Sequence, residues 1–354
     1  MPGTGLNSKR KQQILAEIVR AYIESGEPVS SRAISRSHAH SESLSTATIR
    51  NVMADLEDEG FLYQPHTSAG RVPTPAAYQF FAQIVANEAR LDPGDQEWVR
   101  AELAAAATPE EITERAGHIL AKMSRGLGIV VSPPLGRTVL EHIRFMLLPD
   151  GRVVAVLVTT GGAARDKIVR PEQNYTQADL DRTAEYLNSH YTGRTLDAIR
   201  ADLLSKLANE RERYGRLLQD ALTLCDPSVL GEPESREIYV EGAAEIASSP
   251  EFADQNHLRE LLAAIEEREK LIALLSTCIE APEPVHVQIG VKGMLGAGER
   301  LALISAPYGL AEEGQGSLGV LGPVRMHYER AITAVAYVAR AFSETYSNSK
   351  EPEA

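Results

Sequence analysis

The fold of the N-terminal part is decided by residues 45–73, which read STATIRNVMADLEDEGFLYQPHTSAGRVP. Within this stretch, apolar side chains recur at i, i+3, i+4 and i+7, a spacing that predicts a helix with one buried face. Those side chains are Ile49, Val52, Met53 and Leu56. Ser45 is a favourable N-cap for the helix, and Gly60 marks its end. Two short extended runs then flank residues 67–70, a turn-forming tetrapeptide, and predict a hairpin.

The outer face of this helix carries small and hydrogen-bonding side chains. Because successive helical residues are about 100° apart, Ala47, Arg50 and Asn51 point away from the apolar stripe. An arginine can donate two hydrogen bonds to guanine, an asparagine can bind adenine in a bidentate way, and a methyl group can contact thymine. The face therefore predicts a recognition helix in a DNA major groove, with Thr46 and Thr48 also reading or positioning the duplex.

Two upstream helices complete the pattern of the N-terminal part. Residues 9–25 carry apolar side chains at helical spacing, and Ser30 is a favourable N-cap for a short helix over residues 31–37. The order helix, short helix, helix and hairpin predicts a winged helix-turn-helix, a module used mostly for DNA binding. A three-helix bundle with a hairpin can also serve protein–protein contacts, and this alternative remains open.

The short second helix and the hairpin supply the other expected DNA contacts. Ser31 and Arg32 are expected to contact the phosphate backbone. Polar side chains of the hairpin are expected to contact the backbone or the minor groove. These are His66, Thr67, Ser68 and Arg71. The acidic residues 55–59 at the other end of the recognition helix would repel phosphate, so we expect them to point away from DNA.

The charge of the 354-residue chain is unevenly distributed. The net charge is −13, but residues 1–80 carry eight basic and eight acidic side chains, so this part is neutral. A neutral N-terminal part on an acidic remainder suits a specific DNA-binding protein better than a non-specific one, provided that the basic groups share one face. The aromatic content of 5% also argues against broad stacking platforms for single-stranded nucleic acid.

The rest of the chain predicts helices around a sheet. Residues 91–107 are interpreted as a linker helix region, and residues 171–232 have the pattern of charged helices. Apolar runs that predict strands lie on both sides of that charged stretch, at 142–148, 153–160, 164–170, 238–240, 285–291, 301–305 and 319–321. Because strands from both sides are needed to complete a mixed sheet, residues 108–170 and 233–346 are expected to form one domain. The predicted fold class is α+β.

Several segments resemble the HrcA family, the heat-inducible transcription repressors of bacterial chaperone operons. The most specific is PHTSAGRVPT at 65–74, and the others are 45–57, 60–62, 239–242 and 316–323. The resemblance implies a winged-helix DNA-binding domain over residues 1–90, a GAF-like domain, and a helical dimerising segment, residues 171–232, inserted into that domain. The chain departs from the family in its first five residues, its polar turn at 38–43 and its tail, where residues 347–354 are expected to be disordered.

The resemblance also implies a function. A homodimer would bind CIRCE, an inverted-repeat operator in double-stranded DNA upstream of chaperone genes, and would leave it on heat stress. A GroEL-type chaperonin would be the partner that maintains the active conformation. A second mechanism remains open, in which a metabolite bound in the GAF-like domain controls DNA binding.

The sequence gives no reason to expect an enzyme, a cofactor or a metal site. No activated nucleophile or metal-ligand spacing is evident, and Cys225 and Cys278 lie far apart, so both are expected to be reduced thiols. Residues 314–319 match G-x-G-x-x-G, but a strand-like run follows them where a dinucleotide site needs a helix. The chain begins without an apolar signal segment and contains no membrane-spanning run, so we expect a cytoplasmic protein.

Overall fold

The computed structural model describes residues 9–36, 45–66, 69–88, 90–160, 164–171, 173–209, 215–225, 235–281, 284–290, 300–310 and 314–348. The helices within these ranges are α1 (Lys9–Ser25), α2 (Ser31–Arg36), α3 (Thr46–Asp58), α4 (Pro75–Glu88), α5 (Pro93–Ala104), α6 (Pro109–Ser124), α7 (Gln177–Tyr191), α8 (Leu196–Asn209), α9 (Gly215–Leu224), α10 (Ala243–Ala247), α11 (Gln255–Glu266), α12 (Arg268–Ser276) and α13 (Tyr328–Asn348). The strands are β1 (Leu62–Tyr63), β2 (Val72–Pro73), β3 (Leu127–Val131), β4 (Leu140–Leu147), β5 (Val153–Thr159), β6 (Ala164–Val169), β7 (Ile238–Glu241), β8 (His286–Ile289), β9 (Leu301–Leu310) and β10 (Gly314–Pro323). The predicted α+β class is confirmed.

The first part of the chain, α1 to α4 with β1 and β2, is called the head below. It has the predicted order of helix, short helix, helix and hairpin. The strands β1 and β2 pair antiparallel, with Leu62 opposite Pro73. Backbone hydrogen bonds of 2.8 and 2.9 Å also join Arg71 to Val29 in both directions, so the hairpin is attached to the segment before α2.

Helices α5 and α6 begin in the same way. Asp92 accepts the Gly94 backbone N–H at 2.9 Å, and Thr108 accepts the Glu111 backbone N–H at 3.2 Å. A proline follows each cap, where its missing N–H costs nothing because the first helical N–H groups have no partner within the helix. The two caps lie next to the ends of the linker predicted at residues 91–107, since Asp92 is near its start and Thr108 follows its last residue.

The main sheet has five strands in the order β7-β3-β10-β9-β8, and every pair in it is antiparallel. One face of this sheet contacts α6 and α13, and the other face contacts α12. Close approach explains the glycines in this sheet, because a Cβ on Gly319 would collide with the Ile304 carbonyl of β9. The expected mixed sheet is therefore antiparallel in all the pairings that the described residues make.

The strands β4, β5 and β6 form a separate antiparallel sheet in that order. The prediction that residues 108–170 and 233–346 complete one sheet is therefore wrong for residues 140–169. The physical reason is packing: alternate residues of β5, namely Val153, Ala155 and Leu157, are buried in a core that α7, α8 and α9 share. We call β4 to β6 with α7 to α9 the inserted unit.

Side-chain amides of α7 cover the outer edge of β4. Asn188 accepts the Ile143 backbone N–H at 2.8 Å and donates to the Ile143 carbonyl at 3.0 Å. Gln177 makes a second pair of bonds further along the same strand. It accepts from the Leu147 N–H and donates to the Phe145 carbonyl. Because these amides satisfy edge groups that another strand would otherwise bind, β4 ends its sheet.

The head packs on the start of α13 through one continuous core. The Tyr328 ring is 1% exposed and lies 5.7 Å from the Tyr78 ring and 6.4 Å from the Phe81 ring. At the edge of this contact, Arg20 of α1 donates from Nε and Nη2 to the Glu329 carboxylate, both at 2.7 Å. Helix α13 thus carries contacts to the head and to the main sheet at the same time.

Two expectations about the last part of the chain have different outcomes. Helix α13 continues to Asn348, so the first two residues of the tail expected to be disordered are helical, and residues 349–354 lie outside the described part. The G-x-G-x-x-G match lies within strand β10. A phosphate site of that kind needs a turn that opens a helix, so the interpretation as a chance match agrees with the fold.

Candidate nucleic-acid interface

Helix α3 presents the two faces that the sequence predicts. Ile49, Met53 and Leu56 are at most 4% exposed and pack in the core of the head. Arg50 and Asn51 are exposed on the opposite side. The helix thus offers an arginine and an asparagine to solvent from a rigid, buried base, which is the arrangement that direct reading of bases requires.

The first turn of α3 is held by a cap. Ser45 Oγ accepts the Thr48 backbone N–H at 3.1 Å, as predicted from sequence. The Thr48 hydroxyl lies 2.9 Å from Ser45 Oγ, so part of its hydrogen-bonding capacity is used within the cap. Thr46, at the first helical position, is partly exposed. Unlike the Thr48 hydroxyl, the Thr46 hydroxyl makes no hydrogen bond to the described residues.

The acidic end of α3 is paired with basic side chains from elsewhere in the head. Lys11 Nζ of α1 lies 3.0 Å from Asp55 Oδ2 and 2.8 Å from Glu59 Oε1. Hydrogen bonds to Glu59 and then Asp55 raise the pKa of Lys11 above its ordinary value. Arg71 Nη2 lies 2.8 Å from Glu57 Oε2. These pairs reduce the negative field that the end of α3 would otherwise direct at a phosphate backbone.

The position of Arg71 differs from the sequence-based expectation. The prediction places this arginine on the hairpin as a direct contact to phosphate or minor groove. Its side chain is only 20% exposed and its charge is committed to Glu57 on α3. This ion pair joins the hairpin to α3.

The hairpin tip is partly described. His66 is exposed, and its carbonyl accepts the Ala69 N–H at 2.8 Å. Gln64 supports the tip by donating to the Ala69 carbonyl at 2.9 Å. A Cβ on Gly70 would collide with the Pro28 and Val29 carbonyls, so only glycine allows this approach. The predicted contacts Thr67 and Ser68 lie outside the described residues, as does the polar turn at 38–43.

Helix α2 brings two more exposed arginines to the head. Ser30 caps it by accepting the Ala33 N–H at 3.2 Å, Ser31 is partly exposed, and Arg32 is exposed. Arg36, in the last turn of α2, is also exposed and was not predicted as a site residue. Within the described ranges, Arg32 and Arg36 form no ion pair, so their charges are available to a phosphate.

The described features define a class of protein: an α+β protein with a helical head that exposes an arginine and an asparagine on one helix. The comparisons with known proteins agree with this class. The sequence model of the HrcA protein C-terminal domain matches residues 110–332. The heat-inducible transcription repressor HrcA of Geobacter sulfurreducens is 35% identical over 337 residues, covering 95% of this chain and 97% of that protein. The protein of the same name from Xanthomonas euvesicatoria pv. vesicatoria is 35% identical over 332 residues, covering 93% of both.

The chain therefore belongs to the HrcA family of heat-inducible transcription repressors. Membership makes it a negative regulator of transcription and places it in a family that is not enzymatic. A crystal structure described as that of a hypothetical protein shares the fold, with a TM-score of 0.62 and 23% identity over 97% of this chain and 99% of the other. Across the described residues, no helix has the length and apolar character to cross a membrane.

Proposed function

We propose that a homodimer of this chain represses chaperone operons by binding the inverted-repeat CIRCE operator with one α3 helix in each half-site. The exposure of Arg50 and Asn51 on a buried helical base is the observation that carries this proposal. A twofold dimer would match the symmetry of an inverted repeat, with the two helices entering successive major-groove faces. The head is the winged helix-turn-helix of this proposal, and the main sheet with α6 and α13 is its GAF-like domain.

The remaining contacts follow from the position of each side chain. Thr46 and Thr48 would position the first turn of α3, while Ser31 and Arg32 of α2 would bind phosphate. His66 would reach the backbone or minor groove from the hairpin tip, together with Thr67 and Ser68. Arg71 would act indirectly through Glu57.

The dimer would form through the inserted unit, and a GroEL-type chaperonin would maintain the active conformation. The separate core of residues 140–224 supports the first part of this idea, since a unit with its own core can present a stable surface to a second copy. We propose that heat releases the repressor from its operator and that the active conformation is then lost. This places the protein in the cytoplasm with the DNA that it binds.

Footprinting on the DNA upstream of the cell's own chaperonin genes tests the proposal. We expect two protected half-sites about one helical turn apart, related by the symmetry of the inverted repeat. Protection of a single half-site, or none at a protein concentration that binds random DNA, would contradict it.

The second candidate is a repressor that responds to a metabolite. A cavity of about 470 Å³ between the main sheet and the inserted unit supports this candidate, because pockets that bind small molecules are commonly of this size. A ligand that raises the melting temperature and abolishes operator binding would support it.

A further inference from the structure

The turn that leads into α13, residues 324–327, is bonded to the main sheet and to the contact with the head. The Val324 N–H donates to the Arg300 carbonyl, next to the start of β9, at 2.9 Å. The Val324 carbonyl accepts from the Tyr328 hydroxyl at 2.8 Å, and the Tyr328 ring lies in the core that the head and the main domain share. Arg325, the next residue of the turn, therefore projects from a fixed piece of backbone.

The Arg325 guanidinium lies at the C-terminal end of α1, in the head. A Cβ on Gly26, the residue after the helix, would collide with the guanidinium, so this group rests against the backbone there. The Arg325 Cζ also lies 5.8 Å from the centroid of the Tyr22 ring. The last turn of α1 contains no basic residue of its own, and the C-terminal end of a helix carries a partial negative charge. Arg325 thus supplies a stabilising positive charge to this end from the main domain.

A second polar contact between the same two parts lies nearer the middle of α1. The Glu329 carboxylate, four residues after Arg325, accepts from the Arg20 guanidinium. The two contacts have opposite polarity, because the main domain provides the cation in one and the anion in the other. Arg20 and Gly26 are six residues apart, which is about 9 Å along a helix. Rotation of the head about the buried Tyr328 ring would therefore break at least one of the two contacts.

We propose that Arg325 is a positioning residue for operator binding. Together with Glu329, it fixes the orientation of the head on the main domain and thereby selects the spacing between the two half-sites. In a dimer that forms through the rest of the chain, the orientation of each head sets the distance and the angle between the two α3 helices. The inference rests on the proposed function, because it requires two heads on one inverted repeat.

Mobility-shift assays with the full chain and two duplexes test this role. One duplex carries the operator, and the other has two base pairs inserted between the half-sites, which moves one half-site by about 7 Å along the duplex and about 70° around it. In the unaltered chain, we expect the insertion to lower the affinity about a hundredfold, because a head that cannot reach its half-site adds nothing to binding. In Arg325→Met, which removes the charge and keeps an unbranched side chain, we expect a loss of about tenfold or less, because a head that can rotate reaches the displaced half-site.

A loss of folding alone would give a different result. A partly unfolded variant binds both duplexes more weakly by the same factor, so the ratio of the two affinities stays the same. A third duplex with a single half-site engages only one head, and we expect Arg325→Met to bind it as the unaltered chain does. Glu329→Gln, which removes the exposed carboxylate that binds Arg20, is the second variant and should also lower the ratio.

The control is Arg330→Met, which removes an exposed arginine from α13 that forms no ion pair within the described part of the chain. We expect its ratio to equal that of the unaltered chain. If Arg325→Met and Glu329→Gln both keep the full loss on insertion, the positioning role is overturned while the proposed function stands. Equal affinity of the unaltered chain for the operator and the lengthened duplex would overturn the positioning role as well. If the unaltered chain binds no operator duplex, the proposed function fails and this inference fails with it.

Discussion

The Arg71 guanidinium lies 2.8 Å from the Glu57 carboxylate, and this ion pair ties the hairpin to helix α3. The Arg71 backbone is also bonded to Val29, so the hairpin is joined both to α3 and to the segment before α2. The helix that carries Arg50 and the hairpin that carries His66 are thus parts of one rigid surface. A DNA duplex would meet both together.

Replacing Arg71 by alanine should weaken operator binding without changing its salt dependence. The charge of Arg71 already binds Glu57, so it displaces few counterions from DNA, and its loss acts by loosening the hairpin. The measurement is the slope of log affinity against log salt concentration. In Arg32→Ala, which removes an exposed charge from α2, we expect the slope to fall by about one unit. A similar fall in Arg71→Ala would show that Arg71 contacts phosphate directly.

Replacing Arg50 by alanine should weaken operator binding by about 1–3 kcal/mol and reduce base preference at one position in each half-site, as expected for a bidentate base contact. A mobility-shift assay with operator and single-base variants measures both effects. The matched control is Arg259→Ala, which removes an exposed arginine from α11, outside the head. If Arg50→Ala and Arg259→Ala bind alike, α3 does not read the DNA.

Replacing Tyr328 by alanine should uncouple the head from the main domain. The ring is buried between Tyr78 and Phe81, and truncating an aromatic side chain of this kind costs about 3–5 kcal/mol. Differential scanning calorimetry of the unaltered chain should show the head and the main sheet unfolding together. In the variant, we expect an earlier transition for the head, and a single unshifted transition would contradict the shared core.

Replacing Asp179 by asparagine should lower stability more at neutral pH than at pH 3. Hydrogen bonds from Thr176, followed by Arg182, lower the pKa of Asp179 from 3.8 to about 2. Since the folded state has the lower pKa, the stabilisation is fully present above about pH 4 and is lost as the pH falls towards 2. Urea unfolding at pH 7 and pH 3 measures this difference.

The control for this prediction is Glu185→Gln, an exposed position on the same helix. Its effect on the free energy of unfolding should not change in the way that the effect of Asp179→Asn does. Equal effects of Asp179→Asn at both pH values would contradict a role for the ionised carboxylate in the capping box of α7.

Local features of the head are predicted by the sequence because they depend on neighbouring residues. The spacing of Ile49, Met53 and Leu56 fixes the buried face of α3, and the Ser45 cap needs only the following turn. The pairing of Lys11 with Asp55 and Glu59 could not be predicted in this way. It joins residues more than forty positions apart, and only the packing of α1 on α3 brings them together.

The second sheet could not be predicted for a related reason. The runs that became β4 and β5 show alternation and a turn, but periodicity does not reveal which surface the buried side chains meet. The decisive partners are Asn188 and Gln177 of α7, which close the edge of β4 more than thirty residues away along the chain. The cavity beside Thr159 arises from the same junction and has no local signal.

Cross-linking from α3 tests the central claim most directly. Asn51→Cys would carry a photoactivatable label, and Cys225 and Cys278, which are partly and fully buried, should react slowly. On an operator duplex, we expect cross-links to bases at symmetric positions in both half-sites. A label placed by Glu97→Cys should give none. Cross-links that are absent at position 51, or that occur equally on unrelated DNA, would contradict the claim that α3 reads the operator.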